Sequence, residues 1–230
     1  KSGCNKERII LHRMGINLGI FKFSERRIQS NESIKILTVG RLVEKKGHKY
    51  AIKAIAKIVK RYKNIEYIIA GDGSLRKELE NLVSELEIKN YVEFLGVVEQ
   101  NEVLKLYRQA HIFVLPSITA SNGDQEGIPI VLMEAQATGL PVISTYHSGI
   151  PEVIVDGESG FLVPEKDIDA LTQKIEYLIE HSEIWPEMGR AGRKFIEERY
   201  DINKLNKRLV EIYRALHTNN VNELERPKRY

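Results

Sequence analysis

"DQEGIPIVLMEAQATGLPVIST", residues 124–145, contains a polar approach, a helix, a break and a strand in one run. The apolar, helix-forming part covers about 130–138. Gly139 and Pro141 end it, and the β-branched run "PVIST" follows. Two carboxylates, Glu126 and Glu134, stand eight positions apart in this stretch.

The same alternation extends in both directions. Upstream, "KILTVGRL", "IEYIIAGDG", "YVEFLG" and "HIFVLPS" read as strands. Between them, "HKYAIKAIAKIVKRY" places Ala51, Ile52, Ile55, Ile58 and Val59 on one helical stripe. "LRKELENLVSEL" reads as a helix with Ser74 as its N-cap, and "NEVLKLYRQ" as a short one. Downstream, "GFLVP" is the last strand, and helices cover about 167–180, 183–199 and 203–216. Strands alternating with helices of these lengths form a parallel sheet with right-handed crossovers. The expected fold is α/β: a Rossmann-like parallel sheet of about six strands with helices on both faces, over residues 35–216. Ligands of such sheets bind beyond the carboxyl ends of the strands, so the loops after Leu42, Ala70, Leu95, Leu115 and Thr145 matter most.

Residues 1–34 break the rhythm. "ERIILHRMGINLGIF" reads as one strand and a Gly-containing connection, the end of a preceding domain plus a linker. Residues 217–230 read as a polar tail. The chain starts at Lys1 without a Met and reads as a piece of a longer protein.

The 230 residues can bury a sizeable core, and 42 % apolar with 29 % charged residues is ordinary for a globular chain. Lys and Arg number 35 against 32 Asp and Glu, interleaved along helix faces, so nucleic acid is not an expected partner. The single cysteine, Cys4, allows no disulfide framework and points to a reducing compartment. No run of 18 apolar residues and no signal peptide is visible.

Gly40 ends the first strand and Arg41 follows at once; Lys45 and Lys46 precede Gly47 at the start of the next helix. Fixed cations beside a helix N-terminus suit a phosphate, although lysines there are also common as solvated surface. No GxGxxG and no GxxxxGK[ST] occurs, and "GDGS" at 71–74 reads as a plain turn. Eight residues of helix rise about 12 Å, too far for a glycosidase pair at roughly 5–9.5 Å. The amides of Gly127, Ile128, Ile130 and Val131 lie at or near a helix N-terminus, with Pro129 at its first position. They can receive a pyrophosphate or sugar hydroxyls. The six histidines are scattered, so no metal site is expected. Asp167 of "DID" reads as a helix cap rather than a metal ligand, and Trp185 as packing.

Taken together, "VGRLVEKKG", "IIAGDG", "VEFLG", "HIFVLPS", "EGIPIVLMEAQATGLPVIST" and "SGIPEVIVDGESGFLVP" resemble the C-terminal domain of retaining GT-B glycosyltransferases of family 4 (group 1). The likeness covers about residues 35–215 and is most specific from Glu126 to Pro164. It leans to members that build exopolysaccharide or colanic-acid-like polymers. It implies a hexosyltransferase whose donor is a UDP- or GDP-linked sugar and which needs no metal or other cofactor. Gly40, Arg41 and Lys46 would hold the donor diphosphate. Glu126 would lie beside the donor sugar, with Glu126, Arg41 and Lys46 as the catalytic set. Gly127 and Ile128 would meet sugar hydroxyls, Ile130 and Val131 the phosphate, and Glu134 the ribose diol. Leu95 and Val97, in the backbone near 95–98, would border the base. Pro129 departs from the family's common Gly-Phe-Gly form at this point. The implied partners are the nucleotide sugar and an N-terminal acceptor domain absent from the chain. The implied place is cytoplasmic, or the inner face of the membrane with peripheral association of the full protein. Without the other domain, the fragment is expected to transfer little or nothing. The alternatives are a nucleotide-sugar epimerase or glycogen-phosphorylase-like enzyme of the same architecture, a non-catalytic nucleotide- or glycan-binding module, and a nicotinamide oxidoreductase, the last disfavoured by the missing glycine fingerprint.

Overall fold

The computed structural model describes residues 3, 9–29 and 32–218. Six strands, β1 (Ile34–Val39), β2 (Ile65–Ala70), β3 (Val92–Gly96), β4 (Ile112–Leu115), β5 (Val142–Thr145) and β6 (Gly160–Val163), form one sheet. Its order is β3-β2-β1-β4-β5-β6 and every pairing is parallel. The helices are α1 (His48–Ile58), α2 (Arg76–Glu85), α3 (Gln100–Gln109), α4 (Ile130–Ala137), α5 (Ile168–Glu180), α6 (Trp185–Arg199) and α7 (Ile202–His217). The expected fold class is therefore the observed one.

Side-chain alternation along the strands splits the core in two. Ile36, Tyr67, Ile69, Ile112, Val114 and Ile143 face α1, α2 and α5. Leu37, Ile68, Phe113, Leu115, Val142 and Leu162 face the side of α3, α4 and α6. β4, β5 and β6 are buried along their whole length. Strands covered on both faces read as continuous apolar runs, which is how "IFVL" and "GFLV" appear in the sequence. The α1 stripe behaves as its periodicity predicts, with Ala51, Ile52, Ile55 and Ile58 buried.

Three local expectations are corrected. Residues 9–29 hold no strand among the described residues. Ile16 makes a single bridge, donating its N–H to the Tyr200 carbonyl at 2.8 Å and accepting from Ile202 at 3.0 Å. One bridge leaves no ladder to extend. Ser74 does not cap α2. The N-cap is Leu75, whose N–H is taken by the Leu42 carbonyl at 3.0 Å, so the turn is anchored on the loop after β1 instead. Pro129 is the N-cap of α4 rather than its first helical residue.

Asp167 caps α5 by accepting from the Ala170 N–H. Trp185 is fully buried and donates Nε1–H to the Leu178 carbonyl at 2.8 Å. Cys4 and the tail from 219 onward lie outside the described residues.

Candidate functional site

Strand order reverses between β1 and β4, where the connections leave in opposite directions and open a crevice at the carboxyl ends. The loop of residues 40–47 lines one side of it and residues 116–129 the other. Lys46 and Glu126 meet across it, with Nζ 3.1 Å from Oε2. Lys45 lies 3.7 Å from the other Glu126 oxygen, 3.2 Å from Asp124 and 3.3 Å from the Gln125 carbonyl. Glu126 Oε1 is buried without a hydrogen bond among the described residues.

The loop after β1 is held from three sides. Gly40 N–H donates to the Ala70 carbonyl at 2.9 Å, and Leu42 N–H to the Asp72 carbonyl at 2.9 Å. Gly71 adopts φ +143°, and a Cβ there would stand 2.0 Å from the Gly40 carbonyl oxygen. "GDG" is thus the surface on which the Gly40–Arg41 turn lies. His48 is buried, and burial lowers its pKa to about 4. The ring is neutral near pH 7, and its Nε2–H donates to the Arg41 carbonyl at 2.9 Å. The Arg41 side chain is exposed and has no partner among the described residues.

The two glutamates take separate partners. Glu134 sits one turn inside α4 and accepts from the Tyr107 hydroxyl of α3 at 2.9 Å. Burial raises its carboxyl above the usual range, and the Tyr107 bond offsets this in part. Burial, with the Glu134 charge, pushes the Tyr107 hydroxyl well above its ordinary value. No side chain caps α4, so the amides of Ile130 and Val131 end a helix whose positive pole faces the crevice. Gly127 is exposed and Ile128 half-buried on the approach to it.

Leu95 lies in β3, two strands from β1, and Val97 follows that strand. Gly71 N–H donates to the Gly96 carbonyl at 2.8 Å, so Gly96, Gly71 and Gly40 form a continuous row along the strand ends. Val97 stands out at 84 % exposed.

Three residues in this region, Tyr107, His147 and Glu165, carry no candidate role in the sequence. Tyr107 lies in a helix whose pattern explains it as core. Lys45, named with Lys46 as a candidate phosphate cation, does reach the crevice. His147 and Glu165 follow β5 and β6, and their one visible signal is that position at the carboxyl edge. His147 is 1 % exposed, lies 2.6 Å from Glu165 through Nδ1, and accepts the Glu126 N–H on Nε2 at 3.1 Å. Among the described residues no group of three or more His, Cys, Asp or Glu could hold a metal ion, and no helix is long and apolar enough to cross a membrane.

A cavity of about 820 Å³ lies elsewhere. Leu11, Arg13, Glu152, Phe195, Tyr200 and Leu205 are among the residues that line it, on the side where the incoming segment meets α6 and α7. None of the crevice residues, Arg41, Lys45, Lys46, Glu126, Glu134 or His147, lines it.

A profile described as "Glycosyl transferases group 1" matches residues 21–195. The chain is similar to the putative colanic acid biosynthesis glycosyltransferase WcaL of Escherichia coli (strain K12), with 37 % identity over 219 residues, 94 % of this chain and 53 % of that protein. It is also similar to the amylovoran biosynthesis glycosyltransferase AmsK of Erwinia amylovora, with 37 % identity over 214 residues, 93 % of this chain and 52 % of that protein. The chain thus spans about half the length of these curated relatives. Among solved structures, the C-terminal domain of the group 1 family protein LpcC from Francisella tularensis superposes with a TM-score of 0.71 and 27 % identity, covering 82 % of this chain and 100 % of that one. Anabaena Alr3699/HepE in complex with UDP and glucose shares the fold at a TM-score of 0.79 and 22 % identity, covering 93 % of this chain and 59 % of that one.

Proposed function

The chain belongs to the glycosyl transferases group 1 family, and from that premise we propose that it is the donor-binding half of a retaining GT-B enzyme. The enzyme would move a hexose from a nucleoside-diphosphate sugar to a glycan or lipid-linked acceptor in surface-polysaccharide synthesis. The acceptor site would belong to the part of the relatives that the chain does not span, with the cleft closing between the two halves.

One observation carries this reading. At the strand-order reversal, two lysines, an exposed arginine, a carboxylate and an uncapped helix N-terminus converge on one crevice. Cations and amides suit a diphosphate, whose negative charge grows as the sugar departs. Arg41 and Lys46 would neutralise that charge, and the Ile130 and Val131 amides would add to it. This is the physical basis for metal-independent transfer. Glu126 would stand beside the sugar, with Gly127 and Ile128 amides near its hydroxyls. Glu134 would accept the ribose diol, and the row leading to Leu95 and Val97 would border the base. The separate partners of Glu126 and Glu134 fit two roles rather than one shared proton. Polysaccharide synthesis as the setting is supported by the names of the two relatives.

The test is calorimetric titration with UDP, GDP, dTDP and ADP in the presence of a chelator. UDP comes first because the fold neighbour from Anabaena was solved with it. One diphosphate should bind, and Arg41→Ala should weaken it at least tenfold. Arg41 gives the cleaner variant, because removing Lys46 also unpairs Glu126. Failure of all four to bind the full-length protein would overturn the reading. Release of free altered sugar without an acceptor would favour an epimerase.

A further inference from the structure

We infer that His147 is the positioning residue for Glu126, and that Glu165 fixes the imidazole tautomer that lets it act. The inference deepens the donor-site reading above and rests on it for its catalytic consequence.

The proton arrangement follows from the partners. A backbone N–H always donates, so the Glu126 amide requires a lone pair on His147 Nε2, 3.1 Å away. The ring proton must then sit on Nδ1, where it is donated to Glu165 Oε1 at 2.6 Å. Glu165 also accepts the Thr119 N–H at 2.8 Å. Burial acts to raise the Glu165 carboxyl, but the Thr119 amide and His147 outweigh it and hold it below the usual carboxylate range. An ionised acceptor on Nδ1 is what keeps the other nitrogen bare.

The relay ties together three connections. His147 follows β5, Glu165 follows β6, and Thr119 and Glu126 lie near opposite ends of the loop between β4 and α4. One carboxylate thus fixes both ends of that loop, directly at Thr119 and through the imidazole at Glu126. The point of attachment matters because it is where the backbone amides of this stretch are held. Of the amides of Gln125, Glu126, Gly127 and Ile128, that of Glu126 alone has a partner among the described residues. Glu126 is therefore gripped from behind by a neutral ring and from the front by two ammonium groups. A buried histidine serving packing alone would not need its acceptor nitrogen aimed at this one amide.

The two nitrogens can be tested separately. Glutamine at this position reaches where Nε2 was and can accept from the Glu126 amide. Asparagine reaches where Nδ1 was and can donate to Glu165. The first measurement uses the 230-residue chain without ligand. Nitrogen-15 spectra of His147 should show a protonated Nδ1 and a bare Nε2. Hydrogen exchange at the Glu126 amide should quicken at least tenfold in His147→Asn and stay slow in His147→Gln. A proton on Nε2, or unchanged exchange in His147→Asn, overturns the relay. These results do not depend on any nucleotide binding. The second measurement uses the full-length protein with UDP-glucose and GDP-mannose as donors. His147→Asn should lower kcat at least tenfold while KM for the donor changes less than threefold, and His147→Gln should recover most of the loss. Turnover at the wild-type rate by a folded His147→Asn protein overturns the positioning role. If the wild type uses neither sugar nucleotide, the donor reading is what suffers, and the exchange result alone decides the relay.

Discussion

The Lys46 ammonium lies 3.1 Å from the Glu126 carboxylate, and both side chains are about nine-tenths buried, at 11 % and 10 % exposure. The proposed phosphate subsite is thus already neutralised by an internal anion. A diphosphate arriving there must draw Lys46 away from a partner it already has. Glu126→Gln removes the competing charge without changing the shape. UDP, or whichever diphosphate binds, should therefore bind the variant about five- to tenfold tighter, roughly 1–1.4 kcal/mol. Sugar transfer by the full-length protein should fall, because the same carboxylate is proposed to act beside the sugar. Calorimetry and a transfer assay read the two effects. Weaker binding by the variant would mean that Glu126 orders the lysines rather than competing for them.

Glu134 gives a pH dependence of definite sign. Burial raises its carboxyl in the folded state, with the Tyr107 bond only partly opposing. A carboxyl with a raised pKa binds its proton more tightly folded than unfolded. Stability is then highest below the unfolded value, falls as pH rises toward the raised folded value, and is level above it. Glu134→Gln abolishes that contribution while keeping an acceptor for Tyr107. Near pH 7 the variant should be at least as stable as the wild type in urea, and its stability should decline less through the weakly acidic range. Its nucleotide affinity should nonetheless fall, since the proposed ribose acceptor loses its charge. An equal pH slope in the two proteins would show that the carboxylate is better solvated than its burial suggests.

The fold was legible because both its periodicities were clean. Fully buried strands such as "IFVL" stood out against the α1 stripe, and Gly139 and Pro141 marked the end of α4. Much of the site geometry was legible too, because carboxyl-edge loops and a helix N-terminus follow from strand order. What stayed hidden has a common physical cause. His147 and Glu165 act through contacts between residues 18 apart whose meaning depends on a third residue, Glu126. Nothing local marks a histidine that accepts from a distant amide. The strand expected in "ERIILHRMGINLGIF" failed for the converse reason: an apolar, β-branched segment needs a free edge to pair with, and there Ile16 finds one bridge.

The sequence makes Gly71 part of a plain turn, and the structure gives it a sharper role. Its φ is +143° and an added Cβ would lie 2.0 Å from the Gly40 carbonyl oxygen. Backbone cannot yield as a side chain tip can, so the turn carrying Arg41 would have to move. Gly71→Ala should cost about 3 kcal/mol or more and lower diphosphate affinity as well. Gly157→Ala is the control. It has φ +80° but nothing within 4 Å of the added carbon, so backbone strain of about 1 kcal/mol is all it should show. Melting curves of the two variants separate the terms. Similar losses in both would mean that the loop after β1 shifts without cost.

Arg26 ties the incoming segment to the helix that carries the site. It is 3 % exposed and has no carboxylate partner among the described residues, and burial lowers its pKa to about 10, which leaves it charged at neutral pH. Its guanidinium donates to the carbonyls of Ser24 at 2.9 Å, Tyr107 at 2.8 Å and Thr138 at 2.9 Å. Tyr107 lies in the last turn of α3, and Thr138 is the C-cap of α4, so the cation sits where two helices direct their negative ends. Arg26→Met fills similar space but leaves the buried Tyr107 and Thr138 carbonyls without this donor, which should cost about 2–4 kcal/mol. Arg26→Lys should recover only part of that, because a single ammonium on a shorter stem cannot span all three oxygens. Urea unfolding of the three proteins gives the ranking directly. If Arg26→Met were as stable as the wild type, water would be serving those carbonyls, and the grip of the segment on α4 would have to come from Arg193, which donates to the carbonyls of Phe21 and Ala137.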